Sequence, residues 1–101
     1  MAYVYALISG TPIRNTTAGT AVPLSTASTT ARAITIDAEV TNTSDMFVGG
    51  PTVSMTDGMV LSAGGQIALE APGDDFLTLS GIYVNSSQTN ARIRYHYWNL
   101  V

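Results

Sequence analysis

Short apolar or alternating runs, each closed by glycine, asparagine or aspartate, fill most of this chain. The clearest runs from Ala33 to Val40. Ile34, Ile36, Ala38 and Val40 take one face, and Ala33, Thr35, Asp37 and Glu39 take the other. A period of two predicts a strand with one core face and one wet face. Asn42-Thr43-Ser44-Asp45 reads as the following turn, because Asn and Asp tolerate turn conformations and bond their own backbone. Phe47-Val48 continues the sheet until Gly49-Gly50-Pro51 stops it, and Thr52 to Met55 reads as another short strand. At Asp57-Gly58 a tight turn is expected, with the glycine supplying a positive φ. Met59 and Leu61 point one way, Gly64-Gly65 closes that run, and Ile67 and Leu69 then face inward between Gln66, Ala68 and Glu70. Beyond the loop Ala71-Pro72-Gly73-Asp74-Asp75, strands are predicted over Phe76 to Leu79 and Ile82-Tyr83-Val84, with Gly81 permitting a bulge or bend. A polar connection from Asn85 to Asn90 leads to the last strand. There Arg92, Arg94, His96 and Trp98 alternate with Ile93, Tyr95 and Tyr97.

The first third of the chain is patterned differently. Residues 2–8 are apolar on both faces, as in a buried first strand. From Ser9 to Arg32 the chain is crowded with Thr, Ser and Ala, and 9–32 reads as an arm or long loop. Its one apolar island, Ala21-Val22-Pro23-Leu24, is confined to a sheet edge by Pro23, which has no N–H to give a neighbour. No stretch of ten or more residues carries the 3.6-residue period of a helix. The fold predicted is therefore all-β: one domain over 1–101, a single antiparallel β-sandwich or jelly roll of about eight strands.

Composition narrows what such a domain does. Charged residues make up 11% of the 101 positions, against roughly 25% in an ordinary soluble domain. Lysine is absent, and the four cations are Arg14, Arg32, Arg92 and Arg94. Ser and Thr supply the polar surface instead. Hydroxyl-rich, charge-poor surface costs little to desolvate and suits permanent packing against a partner, although Thr is also simply a good strand former. The net charge of −3 argues against nucleic acid, which demands clustered cations, and no polybasic segment addresses a membrane surface. With no cysteine, disulfides and thiolate metal sites are excluded. No apolar run approaches the ~18 residues of a spanning helix. The start, Met1 to Ile8, lacks a basic n-region and reads as strand rather than signal peptide, so synthesis in a cytoplasm is expected.

Candidate chemistry is sparse. Asp37 and Glu39, two apart on one strand face, place carboxylates roughly 6–7 Å apart, a separation bordering on that of an inverting glycosidase pair. The competing reading is a solvated strand face, and no enzyme activity is expected. His96 is the only histidine and has neither Cys nor a second His to complete a metal site or triad. Asp74-Asp75 lacks the further oxygen ligands of a calcium loop, and the glycine pairs are followed by no Lys and no helix start. No cofactor is implied. Asn15-Thr16-Thr17, Asn42-Thr43-Ser44 and Asn85-Ser86-Ser87 match the glycosylation pattern, as chance allows in a chain so rich in hydroxyls. The face Arg94-His96-Trp98 has the Trp and Arg enrichment of a contact surface. A sugar-stacking platform built from Trp98 and nearby Tyr would use similar residues.

The order of elements over about 33–98 resembles a class of small virion proteins of tailed bacteriophages. The resemblance lies in the turn Asn42-Thr43-Ser44, the step Phe47-Val48-Gly49-Gly50, the spacing Gly58-x-x-Leu61-x-x-Gly64, the run Leu79-Ser80-Gly81-Ile82-Tyr83-Val84 and the ending Arg94-Tyr95-His96-Tyr97. The resemblance implies a β-sandwich or jelly roll acting as a capsid decoration (cement) protein on the virion surface. Its partner would be the major capsid protein, and closed symmetry suggests a homotrimer. The contact surface would be Arg94, His96 and Trp98 together with the arm carrying Arg14 and Arg32. A tail- or fibre-associated module binding a host surface glycan is the alternative.

Overall fold

A computed structural model describes residues 5–9, 13–15, 17–54, 56–73 and 75–100, without the side chains of 5–8, 13–15, 99 and 100. The protein is all-β, and every strand pairing is antiparallel. The strands are β1 (Tyr5–Ser9), β2 (Ile13–Asn15), β3 (Val22–Pro23), β4 (Thr30–Ala31), β5 (Ala33–Ala38), β6 (Met46–Gly49), β7 (Met59–Leu61), β8 (Gln66–Glu70), β9 (Leu77–Thr78), β10 (Tyr83–Ser86) and β11 (Ala91–Leu100). One sheet has the order β1-β11-β5-β8, and β2 pairs with the start of β11 on the edge that β1 also uses. The second sheet has the order β3-β10-β6-β7, and β4 and β9 form a small ribbon.

The expected alternation holds along β5, β6, β8 and most of β11, but not along β7 or β10. Val40, expected on the core face, lies past the end of β5 and is 79% exposed. Ile34, Ile36 and Ala38 of β5 are buried, as are Ala91, Ile93 and Tyr95 of β11. They meet Met46, Val48, Leu61, Leu79 and Val84 from the other side in one core. Burying one face of each sheet against the other is what lets two half-apolar sheets be stable together. Most inner positions are aliphatic, so they pack the pleat with few polar atoms inside, Tyr95 being the exception in the cluster.

Several local expectations meet a different outcome. Segment 9–32 contains β2, β3 and β4, and β3 lies at the edge of its sheet where Pro23 costs no ladder bond. Residues 52–54 are turn and irregular chain rather than strand: Val53 N–H closes back on Gly50 O at 3.0 Å, and Ser54 N–H donates to Asp57 Oδ1 at 2.7 Å. Met55, the end of that predicted strand, lies outside the described residues, as do 2–4 of the first strand and Asp74. The strand expected over Phe76 to Leu79 shrinks to Leu77–Thr78, and a single 3-10 turn takes Leu79–Gly81. Asn85 and Ser86, expected in the connection, extend β10.

Gly58 is needed for space and not for a positive φ, which it lacks. A Cβ there would stand 2.7 Å from Val53 Cγ2, 2.9 Å from Phe47 Cβ and 3.2 Å from the backbone nitrogen of Val48. The turn between β7 and β8 does use positive φ, +80° at Gly64, a conformation that costs a side-chain-bearing residue energy.

Candidate partner-binding face

β11 alternates strictly, so its outward row is Arg92, Arg94, His96 and Trp98. Arg94 and Trp98 are exposed and the other two half-buried. Register fixes their neighbours on the solvent face. Arg94 stands opposite Asp37, His96 opposite Thr35 and Trp98 opposite Ala33. Those β5 residues stand in turn opposite Gln66, Ala68 and Glu70 of β8. The result is a three-strand face whose middle column is Ala33, Thr35 and Asp37, flanked by the β11 row on one side and by Gln66, Ala68 and Glu70 on the other. On the other side of β11, Ser9 of β1 faces His96, and Ser9 Oγ lies 3.1 Å from the imidazole Nδ1. Trp98 retains 40% exposure, a large apolar ring left wet beside the methyl side chain of Ala33.

Glu39 organises the arginine end. β5 ends at Ala38, and the next residue turns its carboxylate toward β11. Its Oε2 lies 3.6 Å from Arg92 Nε and its Oε1 3.6 Å from an Arg94 guanidinium nitrogen. The Glu39 side chain is 14% exposed against 39% and 55% for the arginines, and Oε2 has no hydrogen-bond partner. Glu39, read from the sequence either as half of a carboxylate pair with Asp37 or as part of a solvated strand face, is a counter-ion shared by two cations. A shallow cleft of about 260 Å³ opens beside it, lined by Asp37, Ala38, Glu39, Val40, Gly64 and Arg94.

The arginines expected to join this face divide. Arg94 belongs to it. Arg14 is placed by its backbone alone, opposite Arg92 in the β2–β11 register. Arg32 faces a loop instead: its guanidinium donates to the carbonyls of Gly73 and Asp75 and lies over the Phe76 ring at 5.6 Å. Its backbone N–H meanwhile donates to Trp98 O at 2.9 Å. Arg32 therefore ties the 73–76 loop, with half-exposed Phe76, to the Trp98 end of β11. Neither this tie nor the role of Glu39 was read from the sequence, since both depend on partners some forty or more positions away. The strand-end position of Glu39 and the lone Phe76 after a Pro-Gly loop were the only signals.

Polar side chains substitute for missing backbone ladder bonds around the face. Asn42, buried, donates from Nδ2 to Arg92 O at 2.8 Å and accepts from Arg92 N–H at Oδ1 at 2.9 Å. Gln88 Oε1 accepts from the N–H groups of Thr43 and Ser44 at 2.7 and 3.1 Å. Asn85, also buried, donates to Val53 O at 2.9 Å. Two of the three glycosylation-like asparagines are thus inside the fold with their amides bonded, and the side chain of the third, Asn15, lies outside the described residues. On the core side, burial is the main influence raising the Tyr95 phenol above its ordinary value. The neighbouring Tyr97 raises it further, and a hydrogen bond with Ser25 opposes both. The Tyr95 and Tyr97 rings stack with centroids 6.3 Å apart.

Among the described residues no three His, Asp or Glu side chains group as metal ligands do. The described residues thus form an outward strand face with a shallow cleft at its arginine end. No protein-family model, curated protein or solved structure matches the chain.

Proposed function

We propose that this protein is a virion structural protein, a capsid decoration protein that binds and stabilises the lattice of a major capsid protein. The observation that carries the reading is the outer face of the β11-β5-β8 sheet. It sets Ala33, Thr35 and Ala68 among Gln66, Asp37 and Glu70; the two carboxylates offset Arg92 and Arg94, and Trp98 and Arg94 are exposed anchors on β11. Its Ala and Thr positions lose little on desolvation, and Trp and Arg are enriched among the residues that carry the energy of protein contacts. Strands present anchors rigidly, so little conformational entropy is lost on docking. The order of motifs over 33–98, which resembles that of small phage virion proteins, supports the same reading.

The deciding experiment adds purified protein to capsids that lack it. Binding is expected, with a gain in resistance to heat and osmotic shock, and Trp98→Ala and Arg94→Ala should each weaken it while leaving the fold intact. Capsids that neither bind the protein nor gain resistance would sink the proposal. The exposed Trp98 ring favours one further reading, a glycan-binding module. Specific, Trp98-dependent signals on a glycan array, with no capsid binding, would establish it instead.

A further inference from the structure

β8 is the last strand of its sheet, and no described residue pairs with its free edge. The phase of its ladder shows what that edge presents. Ala38 N–H donates to Gly65 O at 3.0 Å before β8, and Ala71 N–H donates to Arg32 O at 2.9 Å after it. Hydrogen-bonded pairs alternate along an antiparallel ladder. Between those ends, Ile36 with Ile67 and Ile34 with Leu69 are therefore the pairs that bond across β5 and β8. Gln66, Ala68 and Glu70 turn their N–H and C=O groups to the open side.

Two protections border this edge, the exposed charge of Glu70 and the two-against-one bulge that Gly64 and Gly65 make opposite Ala38, but the strand between them is unguarded. Gln66–Glu70 contains no Pro, no Lys and no inward-pointing charge, three of the devices by which edge strands avoid pairing. The second sheet adds to the same side. Its edge strand β7 joins β8 through Ser62 to Gly65 only, and it leaves Met59 and Val60 at 43% and 59% exposure.

We infer that β8 pairs antiparallel with β8 of a second copy of this chain, about a two-fold axis at Ala68, and extends the outer sheet across both molecules. The strand is complementary to itself in that register alone. Gln66 meets Glu70 of the second copy, so an amide donates to a carboxylate. Ala68 meets Ala68, the smallest side chain on the face. Ile67 meets Leu69, and their half-exposed flanks cover each other. The three outward-facing residues pair only with one another, and each pair exchanges both its bonds. A slip of two residues in either direction loses a bonded pair and sets Gln66 or Glu70 against Ala68. Five paired residues are a small interface, so association is expected to be weak and concentration-dependent. This two-fold pair stands in place of the trimer expected from the resemblance, and it does not depend on the capsid reading.

Sedimentation velocity and light scattering across a concentration series test it. Wild type is expected to move from monomer to dimer with rising concentration. Ala68→Pro deletes the central N–H at a position where an edge strand tolerates proline, and should abolish the dimer. Gln66→Glu sets two carboxylates opposite each other twice per dimer and should weaken it about ten-fold. Gln66→Glu combined with Glu70→Gln restores the complement and should restore the dimer. Circular dichroism checks that each variant folds; should Ala68→Pro not fold, the two exposed-site variants decide. A wild type monomeric to its solubility limit, a trimer, a folded Ala68→Pro protein that still dimerises, or a double variant no better than the single would each overturn the inference.

Discussion

Asn42 is where the sequence and the fold part most sharply, and removing its side chain has a calculable cost. β5 ends at Ala38, so the ladder to β11 runs out just where Arg92 needs partners. Glu39 N–H reaches Arg92 O at 3.3 Å, a long bond. The Arg92 N–H instead donates to Asn42 Oδ1 at 2.9 Å, and Asn42 Nδ2 adds a second bond to the same carbonyl at 2.8 Å. Asn42→Ala leaves that N–H without its partner in a region where Asn42 itself is only 8% exposed. An unsatisfied buried donor costs about 1–3 kcal/mol and the second lost bond about 0.5–1.5 kcal/mol. Partial access of water to the vacated site offsets some of this, so a net loss of about 2–3 kcal/mol is expected. Urea unfolding followed by circular dichroism should show the midpoint falling at constant slope. For a domain of this size that loss lowers Tm by roughly 10–20 °C. Asn42→Asp separates hydrogen bonding from packing. It conserves shape and the acceptor but sets a carboxylate oxygen where the amide met the Arg92 carbonyl, and it should be no more stable than Asn42→Ala. If Asn42→Ala stays within about 0.5 kcal/mol of wild type, the side chain is not replacing ladder bonds and the reasoning fails.

Further outcomes follow from other contacts. Gly58→Ala brings a methyl to 2.7 Å from Val53 Cγ2 and 2.9 Å from Phe47 Cβ, so overpacking should destabilise by about 1–3 kcal/mol. Gly50→Ala, with no atom within 4 Å, should be near neutral in the same urea titration. Glu39→Gln should cost less than about 1 kcal/mol, because its arginine partners are 39% and 55% exposed and solvent screens such pairs; a loss above about 2 kcal/mol in low salt would contradict this. Tyr95 holds its proton more tightly folded than unfolded. Stability should therefore be insensitive to this group below pH about 10 and fall as pH rises from there through the raised folded value. Comparing the pH dependence of unfolding in Tyr95→Phe isolates the contribution, and an unchanged alkaline slope would refute it.

The residue pattern revealed the strands wherever one face is core and the other solvent. Ala33–Ala38, Gln66–Glu70 and the outward row Arg92, Arg94, His96 and Trp98 all follow from a period of two, since burial selects side chains at every second position. The pattern lost resolution where short strands are held by one or two bonds, as at Val22–Pro23, Thr30–Ala31 and Leu77–Thr78. A two-residue strand has no period to read. It also misplaced the role of polar residues. Asn42 and Asn85 look like turn residues bonding locally, yet Asn42 bonds Arg92 and Asn85 bonds Val53, fifty and thirty-two positions away. Likewise the face was visible as a row on one strand, but its width was not. Only the registers of β5 and β8 bring Thr35 and Ala68 alongside His96.

Those side-chain substitutes also bear on what the face does. Loops between short strands ordinarily close by backbone bonds, and here amides of Asn42, Asn85 and Gln88 close them instead. Asn42 and Asn85 each join a loop to a strand and Gln88 joins two loops, so the ends of β10 and β11 are clamped without lengthening the neighbouring strands. Trp98 is held at the other end by a different device, the Arg32 backbone bond to its carbonyl and the Arg32 side-chain bonds to the 73–76 loop. β11 is therefore anchored at both ends while its outward row stays uncovered. A strand clamped in that way presents Arg94, His96 and Trp98 at fixed spacing, the property that the proposed capsid contact would require.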